Sequence, residues 1–258
     1  MTRVIFNADD FGYSEAVTLG IIKAHKDGVI VSTTMMTNMD SAPIAAEWSK
    51  SYPNLFVGQH TNIVVGKPCS DPTLIPSLVD ENGYFNTKHR QEKGLPLDRE
   101  HIKIEVRAQA ERFKQLMGYY PEHIEGHAIR DAGLFWAIKE VATELGVHYT
   151  DVEQNFLTGE SIRNANQSGY EIPDYPDIMY YMDQVSLDYW LKDKGNLLSK
   201  DLVQIHSHPG YVDQYLLDHS SYTLTRAKEV EIACSPQIKE WAKMNNVTFI
   251  SHKDIKKL

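Results

Sequence analysis

The chain has 258 residues, 42% of them hydrophobic, and a net charge of −9, which fits one α/β domain of barrel size and argues against nucleic acid or an anionic membrane as main partner. No apolar window approaches a bilayer span, and the N-terminus shows no signal-peptide pattern. Cys69 and Cys234 lack CxxC spacing, so they read as free thiols of a cytoplasmic protein.

Val4-Ile5-Phe6-Asn7-Ala8 predicts a first strand, which runs into Asp9-Asp10-Phe11-Gly12. Adjacent carboxylates repel, so at a strand end they point to a metal, a shared proton, or a split between base and ligand. The competing reading is that Asp9 or Asp10 caps the next helix. That helix starts at Ser14 and stops near Asp27-Gly28, with His25 as a partner for its dipole. Val29 to Met36 predicts a second strand, Ser41 to Ser51 a second helix, and Leu55 to Asn62 a third strand carrying His60. Such alternation predicts a parallel sheet with crossover helices.

Residues 66–100 lack sustained periodicity and are broken by Gly and Pro; they read as a long loop shaping a site, or as a surface insertion. Glu100 to Met117 predicts an amphipathic helix with Ile102, Val106, Ala110 and Phe113 inward, ended by Gly118. A short strand over His123 to His127, a helix over Gly133 to Leu145 and a strand over Val147 to Thr150 follow. The region 151–200 is rich in aromatics, including Tyr170, Tyr175, Tyr180, Tyr181, Tyr189 and Trp190. They read mainly as packing residues, with sugar stacking or a subunit contact as the alternative. A strand from Asp201 ends in His206 and His208. Helices over Leu224 to Ala233 and Pro236 to Met244 and a strand over Val247 to Ile250 close a single domain, and Lys256-Lys257 reads as a solvated end.

Several strand ends therefore carry metal-type residues: Asp9 and Asp10, His60, His127, and His206 with His208. A parallel barrel gathers such ends at one face. The other histidines, among them His123, His148 and His252, read as structural or exposed. A carboxylate with two imidazoles suits a divalent metal with open positions. A second carboxylate can take the proton of water, and a histidine across the site can protonate a leaving group. These parts fit amide or ester hydrolysis. The chain has no G-x-S-x-G elbow, P-loop or G-x-G-x-x-G turn.

Asn7-Ala8-Asp9-Asp10-Phe11-Gly12, Gly58-Gln59-His60-Thr61-Asn62 and His206-Ser207-His208-Pro209-Gly210-Tyr211 resemble the YdjC-like (ChbG) carbohydrate deacetylases. Weaker echoes are Ile75-Pro76-Ser77-Leu78-Val79, Gly83-Tyr84-Phe85, and Thr225-Arg226 with Glu229-Val230. The resemblance runs nearly end to end. It implies a distorted (β/α) barrel of mainly parallel strands, related to polysaccharide deacetylases, and N-deacetylation of chitooligosaccharides. It implies a divalent metal, usually magnesium, with zinc also suited to the donors, and often a homodimer. On matching positions it implies Asp10, His60 and His127 as metal ligands, Asp9 as base and His208 as acid; spacing alone leaves the roles of the two aspartates open. Two departures stand out. Glu125 occupies the place of an aspartate in an Asp-x-His motif without further histidines, and His206 stands where an apolar residue is expected. They bear on which sugar is bound and whether it is phosphorylated. Arg130 and Lys67 read as solvated, or as contacts to an anionic substrate group. The alternatives are a metal-dependent sugar-phosphate isomerase or epimerase, and a non-catalytic sugar-binding protein.

Overall fold

The computed structural model describes residues 1–129, 131–149, 161–163 and 175–255. Arg130, Thr150, Tyr170 and Lys256-Lys257 lie outside the described residues, as does most of the aromatic-rich stretch before residue 175. The strands are β1 (Thr2–Phe11), β2 (Ser32–Met35), β3 (Phe56–Thr61), β4 (His123–Gly126), β5 (His148–Tyr149), β6 (Ser161–Arg163), β7 (Tyr175–Met179), β8 (Leu202–Ser207) and β9 (Val247–Phe249). They form one sheet in the order β5-β4-β3-β2-β1-β8-β7-β6, and β9 pairs with the start of β1. Every pairing is parallel except β6 with β7.

The sheet is rolled. Glu125 of β4 reaches Gln204 of β8, although β3, β2 and β1 lie between them in the sheet. His252, just after β9, stacks on His123 of β4 with ring centroids 3.7 Å apart. The architecture is the distorted (β/α) barrel expected from the sequence.

Around it run α1 (Glu15–Lys26), α2 (Ala42–Ser49), α3 (Thr87–Glu92), α4 (Arg99–Met117), α5 (Ala132–Leu145), α6 (Leu187–Leu191), α7 (Gln214–His219), α8 (Leu224–Cys234) and α9 (Pro236–Met244). Ser14, not an aspartate of the acidic pair, caps α1 by accepting from the Val17 amide. Gly118 and Gly146 end α4 and α5 in the left-handed conformation. The loop over residues 66–98 is anchored. Ile75, Leu78 and Phe85 join the core between α4 and α5, and the buried Glu105 carboxylate accepts from the Cys69 and Ser70 amides.

Alternation along β1 builds two interiors. Val4, Phe6 and Ala8 pack outward into the helix-facing core with Val17, Ile21 and Ala45, each large apolar side chain contributing about 1.5–3 kcal/mol by burial. Ile5 instead faces into the barrel, where it meets Leu202, Ile250 and Ile255 as an apolar plug. Above the plug the interior turns polar: Asn7, Ser32, Thr34, Glu125 and Gln204 are all buried there and hydrogen-bonded to one another. The site sits on this polar layer. Among the described residues, no helix is long and apolar enough to cross a membrane.

Candidate active site

Consecutive residues of a strand point to opposite faces, yet Asp9 and Asp10 both face the barrel interior. The reason is local. The β1–β2 register shifts between Ala8 and Phe11, and Asp10 has φ 73°. A left-handed aspartate costs on the order of 1–3 kcal/mol and persists only where surroundings hold it. Here Arg226 of α8 supplies that hold, donating from Nη2 to Asp10 Oδ2 at 2.7 Å with both side chains buried.

The other Asp10 oxygen faces two imidazoles. Oδ1 lies 3.0 Å from His127 Nδ1 and 3.4 Å from His60 Nε2, and these nitrogens are 3.2 Å apart. Oδ1 is buried and accepts no well-formed hydrogen bond. Buried polar atoms rarely stay so, and three donor atoms at these separations match neighbours around one ion about 2.0–2.2 Å from each. The residues therefore fit a divalent metal.

Electrostatics agrees. Burial disfavours charge on Asp10, but Arg226 and His127 hold its carboxyl well below the usual range. Burial lowers the His127 pKa, which leaves the ring neutral as a ligand must be. Burial also opposes charge on His60, yet the Asp10 and Glu125 carboxylates beside it push it up to about 10. Without an ion, a proton on His60 offsets the carboxylates.

Glu125 supports His60 from behind. Its Oε1 accepts from Thr34 Oγ1 at 2.7 Å, Asn7 Nδ2 at 3.1 Å and His60 Nδ1 at 3.2 Å; Oε2 accepts from His123 Nε2 at 3.1 Å and Gln204 Nε2 at 3.4 Å. Despite burial, the nearby His206, His123 and His60 keep this carboxyl well below the ordinary value. An ionised Glu125 fixes the His60 proton on Nδ1 and leaves Nε2 for a metal.

Asp9 faces the other way across the site. Asn7 Nδ2 donates to its Oδ1 at 2.7 Å, His206 Nδ1 lies 3.1 Å from Oδ2, and His208 Nε2 is 3.9 Å from the same oxygen. Burial pushes His208 down to about 4, so its ring is neutral. Its backbone amide donates to Glu229 at 2.7 Å, and burial raises that carboxyl to about 8. The His208 loop is seated tightly against α1: a Cβ on Gly20 would stand 2.5 Å from Gly210 Cα. Aromatic rings line the same end. Tyr181 and Tyr222 stack with centroids 4.4 Å apart, each within 6 Å of His208, and Tyr13 lies beside His127 and Tyr215.

All five residues singled out from the sequence thus meet at the C-terminal ends of the strands. Sequence reading gave no role to Thr34 or Gln204, nor to Asn7 and Arg226, which it quoted only as motif residues, and it classed His123, His148 and His252 as structural or exposed; all three are buried inside the barrel. A signal existed. Asn7/Asp9, Ser32/Thr34, His123/Glu125 and Gln204/His206 each alternate by two, as the inner face of a strand does. Lys67 lies over the Tyr84 ring at 5.0 Å in the anchored loop.

The family described as YdjC-like protein matches residues 3–244. Carbohydrate deacetylase 2 of Listeria innocua is 32% identical over 99% of both chains. Chitooligosaccharide deacetylase of Proteus mirabilis is 30% identical over 92% of both. A crystal structure from Enterococcus faecalis V583, of a candidate cellobiose-phosphate cleavage protein, superposes with TM-score 0.84 at 27% identity over 98% of both chains. The chain belongs to the YdjC-like family.

Proposed function

We propose that this YdjC-like protein is a metal-dependent hydrolase that removes an N-acetyl group from a small carbohydrate, a chitooligosaccharide in free or phosphorylated form. The observation that carries the reading is the meeting of Asp10, His60 and His127 donor atoms beside Asp9 and His208. Named relatives support the substrate class: they are a carbohydrate deacetylase and a chitooligosaccharide deacetylase.

Asp10, His60 and His127 would hold the ion. When bound, it supplies Lewis acidity toward the acyl oxygen and lowers the pKa of water. Asp9 acts as general base, held by Asn7 and His206 so that Oδ2 faces the cleft. His208 enters neutral, so it protonates the amine only with a proton gained during reaction; Asp9 Oδ2, 3.9 Å away, is the nearest source. Tyr181, half-buried beside His208 and backed by the buried Tyr222, offers a ring for the sugar. The resemblance implies magnesium, whereas two imidazoles among three donors suit zinc better. We place the enzyme in the cytoplasm, as a homodimer, and sedimentation tests the latter.

The test is acetate release from N,N′-diacetylchitobiose and its phosphorylated form, with chelator and then with magnesium or zinc restored. Chelator-sensitive release establishes the reaction. No release from metal-loaded protein discards this substrate. A product of unchanged mass, with no acid liberated, assigns the sugar-phosphate isomerase reading instead.

A further inference from the structure

Beneath Asp9 lies a closed ring of hydrogen bonds that the proposed reaction does not use directly. Asn7 Nδ2 touches Asp9 Oδ1 at 2.7 Å and Glu125 Oε1 at 3.1 Å, so its Oδ1 must face Ser32, whose Oγ donates to it at 2.8 Å. A serine has one hydroxyl proton. That proton is committed to Asn7, so His252 Nδ1, 3.2 Å from Ser32 Oγ, must carry a proton and donate it. On the other side of that ring, His252 Nε2 lies 2.9 Å from Gln204 Oε1, an acceptor only. Gln204 Nε2 faces Glu125 Oε2 at 3.4 Å and His206 Nε2 at 3.0 Å, which places the amide nitrogen toward the carboxylate. His206 Nδ1 closes the ring on Asp9 Oδ2.

With these directions fixed, His252 holds protons on both nitrogens and His206 on Nδ1 alone. Rotating the Gln204 amide reverses the two: His252 then accepts at Nε2, and His206 carries both protons. Either way, the ring contains one proton more than two neutral imidazoles have. The rotated state sets Gln204 oxygen against Glu125 Oε2, so the extra proton rests on His252. Electrostatics supports an extra proton in the ring, on either histidine, since an imidazolium there offsets the buried Glu125 carboxylate, 3.8 Å from His206 Nδ1.

The nearby trio of His123, His148 and His252 also has nitrogens within 4.8 Å of one another. It does not make a metal centre. The His123 and His252 planes differ by only 7° at 3.7 Å. An imidazole lone pair lies in its ring plane, so parallel stacked rings cannot both aim at one ion.

We propose that the barrel interior beneath Asp9 holds one extra proton, resting on His252 and exchangeable with His206 through the Gln204 amide. Gln204 and His252 are thereby positioning residues that fix the His206 tautomer and the orientation of Asp9. The catalytic consequence rests on the base role given to Asp9 above; the proton count does not.

The test is long-range proton–nitrogen correlation NMR on histidine-labelled full-length protein at about pH 8, well above the ordinary histidine pKa of ~6.5. It separates doubly protonated rings from each neutral tautomer. His60→Gln and His252→Gln assign the signals, because His60 also stands between two carboxylates, Asp10 and Glu125. The expected spectrum has a doubly protonated ring that His252→Gln removes and that Gln204→Met, similar in shape but without polar atoms, converts to a neutral one. A doubly protonated His206 in place of His252 supports the same count with the amide rotated. Neutral rings at both positions in the wild-type protein overturn the proposal, whether or not the variants fold. For catalysis, Gln204→Met is expected to lower kcat roughly tenfold with KM little changed, a fraction of the ~10²–10⁴-fold a general base supplies. An unchanged kcat overturns the positioning role. Failure to release acetate from any sugar defeats the functional reading and leaves the spectrum to decide the proton.

Discussion

Glu125→Gln removes a buried charge while keeping side-chain shape, and the structure says what that costs. The new amide has one oxygen where the carboxylate had two. If its NH₂ stood at the Oε1 end, it would oppose the NH₂ of Asn7 and drive the His60 proton from Nδ1 to Nε2, the atom turned toward Asp10. The less costly placement sets NH₂ at the Oε2 end, against His123 Nε2 and Gln204 Nε2, where one ring must change tautomer and one amide must turn. Losing charge on bonds worth about 1.5–3 kcal/mol each, with partial rearrangement, gives an expected destabilisation of about 3 kcal/mol. Breaking a buried charged network costs a similar ~3–5 kcal/mol. Metal affinity should fall roughly 10–100-fold, the usual loss when the partner of a ligating histidine is removed. Urea unfolding reads the first quantity, and calorimetric titration with zinc reads the second. A variant that binds zinc as tightly as the wild type would show that Glu125 does not set the His60 tautomer.

Metal affinity should also depend on pH. His60 is pushed up to about 10 by its carboxylate partners, so an entering ion must displace its proton. Zinc affinity is expected to rise about tenfold per pH unit across neutrality, with one proton released, and titration in buffers of different ionisation enthalpy counts it; a flat profile contradicts a protonated His60. Glu229 predicts an opposite slope in stability. Its folded pKa is raised from 4.5 to about 8 by burial, so the folded chain keeps a proton that the unfolded chain gives up. That stabilisation is complete below the unfolded value and is lost as pH rises toward the folded one. Unfolding midpoints should therefore fall over that window, and Glu229→Gln, which stays neutral, should flatten the decline. Gly20→Ala should destabilise by about 1–3 kcal/mol, because its Cβ meets Gly210 backbone at 2.5 Å. Acetate release should fall with it as the His208 loop is displaced, and an unchanged unfolding midpoint would refute that contact.

The sequence by itself determined most of the barrel strands and helices and the gathering of the main polar groups, but not α3 inside the aperiodic 66–100 stretch, nor β6, β7, α6 and α7. Strand–helix alternation dictates a parallel barrel, and a parallel barrel brings Asp9, Asp10, His60, His127 and His208 to one face whatever the loops do. These features are local, set by apolar period and by chain direction. Tertiary structure decided how the groups divide. In a straight strand Asp9 and Asp10 would point apart; a register shift and a left-handed Asp10, held by Arg226 from a helix near the other end of the chain, bring both inside. Rolling of the sheet, which no residue pattern states, sets Glu125 against Gln204 and His252 against His123. Hydrogen bonds and buried charge depend on separations in space, so the partners that orient the His60, His206 and His252 rings include Glu125, Asp9 and Ser32, all remote from them in the chain.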